Sequence, residues 1–489
     1  MALAATGSVD LAERVSSATG KELKLAGINW AFSPVADVNS DPRNPVIGVR
    51  SFGDNPNEVA RYVQAVTRGL TAAGVAPSAK HFPGHGNTHI DSHLGLPRIL
   101  STSESLAATE LPPFHAVISP TGGDSSIASI MTGHMALPNV TGDETPCSLS
   151  RAITTGLLRE KLGYDGVVVT DCLEMEAVSA MDGGVPEGAV RALEAGADIV
   201  MVCHRFDRHL GALKATYEAV KQGRLDMDAL RASGERIARM KDSFAGSWDS
   251  VLAAQSRELS SDTLMFMKKE HAELSKEAYA RSVALFRPLN PGQTVLPLRR
   301  TGHVVLLTPR MESINLAVDD SEGTPRVLSV KDGQGCVRSL VRNTAGPSYE
   351  ALSAAMALRV QVYHIVYAPE DGWDTGSLER VVGAEAVVFA VRNGLDKGQW
   401  QIKYLQDLLR TASTDSGGPK LEDKLVLIST CGPYDLLDLG RVLREDLCNV
   451  PSLATFEFTV PAMHALTAVL FEEASPSGKI PVSRVSRSE

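Results

Sequence analysis

The side chains best suited to chemistry are concentrated in one short stretch. It follows an apolar run and reads Lys80-His81-Phe82-Pro83-Gly84-His85-Gly86-Asn87-Thr88-His89-Ile90-Asp91-Ser92-His93. A single loop histidine is usually structural, but four histidines and an aspartate within one glycine-containing loop favour a functional role. Imidazole and carboxylate groups act in proteins either as metal ligands or as general acids and bases. Both kinds of site are therefore open for this loop.

The spacing within the loop favours acid/base chemistry over metal binding. The stretch has no His-Glu-x-x-His or comparable ligand pattern. Asp91 and His93 are two residues apart, so they point to the same side wherever the chain is extended. A carboxylate that accepts a hydrogen bond from one ring nitrogen fixes the tautomer of the imidazole and raises its basicity. We interpret Asp91 and His93 as an acid/base pair, with a metal site as the alternative.

A second candidate group is the carboxylate of Asp171, which ends the apolar run Val167-Val-Val-Thr. An acid at the carboxyl end of a buried parallel strand stands where barrel enzymes place their catalytic groups. The structural alternative is that Asp171 caps the next helix. One carboxylate beside a separate acid/base is the requirement of retaining glycoside hydrolysis. Glu174 and Glu176 follow on the presumed helix and are expected to be solvated or to support the site.

Alternating elements would position these groups. Helical stripes are followed by continuous apolar runs, the pattern of βαβ units whose strands are buried on both faces. In one such helix Asp54 is the expected cap, before Pro56. Five strands are predicted before residue 205, at Ile28–Val35, Ala76–His81, Ile127–Gly133, Val167–Thr170 and Ile199–Cys203. This pattern predicts a (β/α)8 barrel over residues 1–285, with residues 207–285 largely helical.

A second, smaller α/β domain is predicted over residues 286–489, after the turn-rich stretch at 287–292. Its strands are expected at Val304–Leu307, Val362–Tyr367, Ala386–Val391, Leu425–Ser429 and Ala454–Phe458. Helical segments separate several of these strands, which is typical of an α/β sandwich.

Composition excludes several classes of protein. The chain has 489 residues and a formal charge of −10, which argues against nucleic acid or an anionic membrane as partner. No apolar run approaches the roughly 18 residues of a membrane span. The cysteines match no disulfide or zinc framework and suit a reducing compartment; they are Cys147, Cys172, Cys203, Cys336, Cys431 and Cys448. With no evident signal peptide, a cytoplasmic location is expected.

The loop at residues 80–93, with Leu96-Pro97, closely resembles the signature of glycoside hydrolase family 3, in its β-N-acetylglucosaminidase branch. The resemblance covers nearly the whole chain. Its further motifs are Gly27-Ile-Asn-Trp-Ala-Phe-Ser-Pro-Val-Ala-Asp37, Arg50-Ser-Phe-Gly-Asp-Asn-Pro56, Met131-Thr-Gly-His134, Asp165-Gly-Val-Val-Val-Thr-Asp171 and Ser477-Gly-Lys-Ile-Pro-Val482. It implies a substrate that carries terminal β-linked N-acetylglucosamine, and neither a metal nor another cofactor.

The resemblance also implies a role for each matching position. Asp171 matches the nucleophile that forms a covalent glycosyl-enzyme, and His93, paired with Asp91, matches the histidine general acid/base of this branch. Substrate-binding positions are matched by Arg50, Lys80, His81 and His134; of these, His134 is read as more structural than catalytic and is expected to line the pocket. Asp37 matches a motif position that we interpret as ordering the end of a strand.

One departure from the family pattern bears on activity. Family members carry a longer segment before Gly27, with two barrel strands and an Asp-Gln-Glu-Gly-Gly-Arg sequence, so the barrel is expected to be incomplete at its N-terminus. The leading hypothesis is a β-N-acetylglucosaminidase. The alternatives are a catalytically impaired sugar-binding or scaffold protein, a β-glycoside phosphorylase and a metal-dependent hydrolase.

Overall fold

The structure is a computed structural model. It describes residues 1–92, 95–118, 127–255, 261–287, 295–311, 328–331, 337–341, 345–394, 399–412, 420–437, 447 and 450–483. The chain forms two compact units. We call Ser8–Leu274 the barrel unit, and Met1–Gly7 with Ser275–Glu489 the C-terminal unit. Sequence reasoning put the division at 285/286, whereas the units divide at Ser275, within the long helix Ser261–Ser282. The turn-rich stretch expected at the junction lies largely outside the described residues.

The barrel unit contains a five-stranded sheet in which every neighbouring pair is parallel. Its strands, in both chain and spatial order, are β1 (Trp30–Ala31), β2 (Ala76–Phe82), β3 (Ser129–Thr132), β4 (Val167–Cys172) and β5 (Ile199–Met201). Parallel strands with helices between them confirm the predicted TIM-type architecture. The first strand is shorter than the predicted Ile28–Val35, although the chain beyond it still pairs with β2 through an isolated bridge between Val35 and Lys80.

Helices connect and surround these strands. They span Val9–Leu25, Pro56–Ala72, Ser103–Thr109, Pro112–Val117, Pro138–Thr141, Ala152–Lys161, Glu176–Ser179, Gly184–Ala195, Phe206–Lys221, Met227–Phe244, Trp248–Gln255 and Ser261–Ser282. The segment Ala152–Lys161 is π-helical, with short 3₁₀ turns at Gly48–Arg50 and Cys147–Leu149. The last four helices confirm the prediction that residues after 207 are largely helical.

Local sequence explains the start of the helix Pro56–Ala72. Asn55 is its cap, because its side chain accepts hydrogen bonds from the N–H groups of Asn57 and Glu58. The sequence predicted Asp54 as the cap, so that prediction is wrong by one residue. Pro56 does occupy the first turn, as predicted. The predicted apolar stripe is buried against the rest of the unit.

An ion-pair network fixes the amino end of the sheet, just before β5. The buried carboxylate of Asp198 lies 2.6 Å from Arg159 Nη2 and 2.8 Å from Arg236 Nη2. It also accepts the N–H of Val168 at 2.8 Å. A buried carboxylate needs such partners to offset its loss of hydration. Asp198 thus holds two helices to the end of the sheet opposite the candidate site.

The C-terminal unit is built on a six-stranded sheet. Its strands are β6 (Ala284–Arg287), β7 (His303–Pro309), β10 (Gln361–Tyr367), β11 (Ala386–Val391), β12 (Leu425–Ser429) and β13 (Ser452–Ala454). Their order across the sheet is β10-β7-β11-β12-β13-β6, and all neighbouring pairs are parallel except β13 with β6. A separate antiparallel pair joins β8 (Leu328–Lys331) and β9 (Val337–Val341). The strand predicted at Ala454–Phe458 is wrong by two residues at its start, because β13 spans Ser452–Ala454.

Alternating residues of this sheet face two different cores. In β11, Val388 and Ala390 belong to one buried cluster, whereas Val387 and Phe389 belong to the other. A sheet buried on both faces confirms the predicted α/β sandwich. The helices of the unit span Ala2–Ala5, Gly346–Ala357, Thr375–Gly383, Trp400–Ala412, Tyr434–Leu437 and Val460–Leu470. Among the described residues of the whole chain, no helix combines the length and the hydropathy needed to cross a bilayer.

Candidate active site

The candidate site lies at the carboxyl ends of β2, β3 and β4, which meet at one edge of the sheet because the strands are parallel. Lys80 and His81 are near the end of β2, His134 follows β3, and Asp171 is near the end of β4. Irregular pairing occurs at two of these positions. The register shifts between Lys80 and Phe82 in β2, and between Val169 and Cys172 in β4. Bulges re-aim side chains at strand ends, and here they involve His81 and Asp171.

A chain of three side chains crosses this edge, from Asp37 through His81 to Asp171. Asp37 is fully buried, and its Oδ2 lies 2.8 Å from Nδ1 of His81. Its Oδ1 accepts the backbone N–H groups of His81 at 3.0 Å and His85 at 2.8 Å. On the other side of the ring, Nε2 of His81 lies 3.8 Å from Oδ2 of Asp171. His81 is thus held between two carboxylates.

The structure keeps both carboxylates ionised. Burial by itself would raise the pKa of Asp37, but the charge of His81 and the hydrogen bonds from it lower that pKa below the ordinary value. The same balance holds for Asp171. Burial acts to raise its pKa, but the charges of His81 and His134 and the hydrogen bond from the Cys172 N–H lower the pKa by more, so the net shift is downward. That N–H donates to Oδ1 of Asp171 at 2.7 Å. An ionised, oriented carboxylate has the properties of a nucleophile.

Lys80 interacts electrostatically with Asp171 and with a second cation, Arg50. Burial and the charge of Arg50 lower the pKa of Lys80, whereas the charges of Asp171 and Asp37 act against that shift. These charges therefore interact at the strand ends. Arg50 is only partly buried, and its Nη1 donates to the carbonyl of Val46 at 3.0 Å. Such groups can bind the hydroxyls of a sugar or stabilise negative charge.

Asn44 positions the segment that carries Arg50, a role that sequence reasoning missed. Its Oδ1 accepts the N–H groups of Val46 at 2.9 Å and Ile47 at 2.8 Å. Its Nδ2 donates to the carbonyls of His85 at 2.8 Å and Gly86 at 3.0 Å. One buried amide thus joins the turn before Arg50 to the histidine-containing loop.

His134, which the resemblance placed among the substrate-binding positions and which we read as more structural than catalytic, has a fully buried side chain. Its Nδ1 lies 2.7 Å from Oγ of Ser148 and its Nε2 lies 2.9 Å from the carbonyl of Cys172. Because both ring nitrogens have protein partners, neither is available to a sugar in this structure. His134 instead supports the backbone beside Asp171.

The first half of the histidine loop packs tightly on the protein. His85 is buried, which lowers its pKa to about 4, so it is neutral; its Nε2 lies 3.0 Å from Oγ of Ser92. Gly86 lies so close to the chain that an added Cβ would be 1.5 Å from the carbonyl oxygen of Val38. Glu110, which sequence reasoning did not single out, is also buried here and accepts a hydrogen bond from Ser40.

The predicted acid/base pair is only partly within the described residues. The carbonyl of Asp91 accepts the N–H of Gly95 at 3.1 Å, but His93 lies outside the described residues. The role of the pair stays a prediction. Within the described part of the chain, one group of three side chains has ligand atoms near enough to share a metal ion: Cys172, Cys203 and His204. None of them belongs to the histidine loop.

Comparison with known proteins agrees with this architecture. A model of the glycosyl hydrolase family 3 N-terminal domain matches residues 1–240. The solved structure of a family 3 β-N-acetylglucosaminidase from Paenibacillus sp. str. FPU-7 is 30% identical, with a TM-score of 0.77, over 100% of this chain and 82% of that one. A fungal multi-domain family 3 β-N-acetylglucosaminidase is 33% identical, with a TM-score of 0.82, over 100% of this chain and 50% of that one.

A parallel barrel sheet ending in carboxylate, imidazole and ammonium groups, on a chain that also carries an α/β sandwich, is the architecture of a barrel glycoside hydrolase. The chain belongs to glycoside hydrolase family 3. Among curated relatives, β-hexosaminidase A of Pseudoalteromonas piscicida is 37% identical over 317 residues, or 60% of this chain and 49% of that protein. The chain spans about half the length of the first curated relatives it matches.

Proposed function

We propose that this protein is a β-N-acetylglucosaminidase that releases terminal β-linked N-acetylglucosamine with retention of configuration. The observation that carries the proposal is the carboxylate of Asp171, ionised and oriented at the end of β4 beside His81 and Lys80. The substrate class is supported by relatives named β-hexosaminidase, such as LpqI of Mycobacterium tuberculosis, 36% identical over 247 residues, and by the two structures named β-N-acetylglucosaminidase.

In the first step Asp171 attacks the anomeric carbon as the glycosidic bond breaks. Positive charge develops on the sugar ring, and the negative carboxylate stabilises it before the covalent bond forms. His93, with Asp91 as its partner, gives a proton to the departing oxygen. Arg50, Lys80 and His81 orient the sugar through its hydroxyl groups, which supplies much of the rate acceleration.

In the second step water replaces Asp171 on the same carbon. The imidazole that lost its proton now accepts one from the attacking water, and the sugar leaves as its β-anomer. Asp37 does not touch the substrate. It holds the ring of His81 in place and thereby fixes the surroundings of Asp171.

The decisive experiment follows the anomeric product directly. Hydrolysis of a nitrophenyl N-acetyl-β-glucosaminide, monitored by proton NMR, should release the β-anomer first. Asp171→Asn should lower kcat by at least about 1000-fold, whereas the exposed Asp182→Asn should leave it unchanged. Initial release of the α-anomer, or equal rates for wild type and Asp171→Asn, would contradict the proposal. Sugar binding without turnover in the wild type would favour a binding protein instead.

Phosphorolysis is the second candidate, because the charge of Lys80 interacts both with Asp171 and with a second cation, Arg50. Phosphate is an acceptor that such cations would favour. Product analysis in phosphate buffer separates the two functions. Sugar 1-phosphate would support phosphorolysis, and free N-acetylglucosamine as the sole product would exclude it.

A further inference from the structure

Two thiols and an imidazole meet beside the candidate nucleophile and have no part in the proposed glycosidase chemistry. Ligand atoms of Cys172, Cys203 and His204 all lie within 4.8 Å of one another. Cys172 is the last residue of β4 and directly follows Asp171. It pairs with Met201, the last residue of β5, so Cys203 and His204 begin the next loop. The three side chains therefore share the carboxyl edge of two neighbouring strands.

The protein itself holds this loop in place. The carboxylate of Glu174 accepts three consecutive backbone N–H groups, from Cys203 at 2.9 Å, His204 at 2.5 Å and Arg205 at 3.1 Å. On the far side, Nε2 of His209 lies 2.8 Å from the carbonyl oxygen of Val202. These contacts fix the backbone without using either thiol. The cluster is thus a preorganised feature of the fold, in which ligands are brought together before any ion binds.

The donor set selects a class of ion. Two thiolates and one imidazole are soft to borderline ligands that suit zinc, whereas magnesium and calcium require oxygen ligands. Three protein ligands leave a fourth tetrahedral position for water. Oε2 of Glu174 lies 3.8 Å from Sγ of Cys172. Cys203 and His204 are exposed, so an ion from solvent can reach the cluster.

We propose that Cys172, Cys203 and His204 form a binding site for Zn²⁺ next to Asp171. On binding, both thiols lose their protons to solvent and their sulfurs coordinate the ion. The site has no role in bond cleavage. A further consequence rests on the proposed glycosidase function: bound Zn²⁺ inhibits turnover, because a cation beside Asp171 weakens its carboxylate as a nucleophile, and because coordination engages Cys172, whose N–H orients that carboxylate.

The test is titration of the full, reduced chain with Co²⁺, which reports thiolate ligands through sulfur-to-cobalt charge-transfer absorption and tetrahedral geometry through visible bands. Zn²⁺ should abolish both signals at one equivalent. Competition with a chromophoric chelator then gives the Zn²⁺ affinity. Cys203→Ser and His204→Ala should each weaken it roughly 10- to 100-fold or more. The matched controls Cys431→Ser and His115→Ala should bind like the wild type.

The outcomes are separable from those for the glycosidase proposal, because metal binding is read without substrate. Absence of charge-transfer absorption in the wild type, or wild-type intensity and affinity in Cys203→Ser, would overturn the site. Recovery of Cys172 and Cys203 as a disulfide, with a reduced protein that does not bind Co²⁺, would identify a redox pair and overturn it as well. If Zn²⁺ inhibits glycoside hydrolysis by the wild type but not by Cys203→Ser, the result would support inhibition of turnover through this site.

Discussion

Replacing Asp37 by asparagine should separate the two functions of its carboxylate. Oδ1 accepts two backbone N–H groups, whereas Oδ2 faces Nδ1 of His81. Asparagine in the same rotamer keeps an oxygen for the N–H groups and puts its NH₂ against the ring. Nδ1 must then accept a hydrogen bond, so the ring of His81 can carry a proton only on Nε2, which faces Asp171.

The size of the effect depends on which hydrogen bonds each substitution removes. Asp37→Asn removes one charge-assisted hydrogen bond, about 1.5–3 kcal/mol, but no longer buries a charge, so we expect a net destabilisation of about 1–2 kcal/mol. Asp37→Ala leaves three buried donors without an acceptor and should cost about 3 kcal/mol or more. Both variants disturb the ring beside Asp171, and a displacement of about 1 Å lowers kcat by roughly 100-fold.

Denaturant unfolding and nitrophenyl glycoside hydrolysis measure the two effects, with Asp182→Asn as an exposed control. The pKa of Asp37 is lowered in the folded state, so its ionised form stabilises the fold above about pH 4 and that contribution is lost as the pH falls further. The gap in stability between wild type and Asp37→Asn should therefore narrow in acid. Equal destabilisation by asparagine and alanine, or an unchanged kcat in a folded Asp37→Asn, would refute the reasoning.

Three further substitutions test other parts of the barrel unit. Burial and the charge of Asp37 raise the pKa of Glu110 to about 8, so wild-type stability should fall between about pH 4.5 and 8, by up to about 1.4 kcal/mol per pH unit. In Glu110→Gln this slope should disappear from pH-dependent unfolding curves, and an unchanged slope would exclude Glu110 as its source. Asn44→Ala removes four buried hydrogen bonds and should cost about 2–4 kcal/mol in denaturant unfolding and raise KM through Arg50; an unaltered KM would contradict the second effect. Asp198→Asn should destabilise the fold by about 3 kcal/mol, because the half-buried Arg159 and Arg236 lose the buried carboxylate that they share, while kcat measured on the folded fraction stays at the wild-type value.

Sequence alone was sufficient for the architecture and for the position of Asp171 near the carboxyl end of a strand. The predicted strands at Ala386–Val391 and Leu425–Ser429 match β11 and β12 residue for residue. Continuous apolar runs are local signals, and a polar residue that ends such a run must lie at the strand's end. Asp171 was placed correctly for that reason. β1 was predicted too long and β13 two residues too late, because both strands are short and lack long apolar runs.

Only the tertiary structure decided which groups meet. Asp37 contacts His81 across 44 positions of the chain, and Cys172 meets Cys203 through the pairing of β4 with β5. The buried state of His134 likewise depends on a carbonyl 38 residues away. Such contacts are set by the register between parallel strands and by the bulges in them. Register and bulges leave no periodic pattern in the sequence, because each depends on how two distant segments pack together. Hydrophobic periodicity, by contrast, is a property of a single segment.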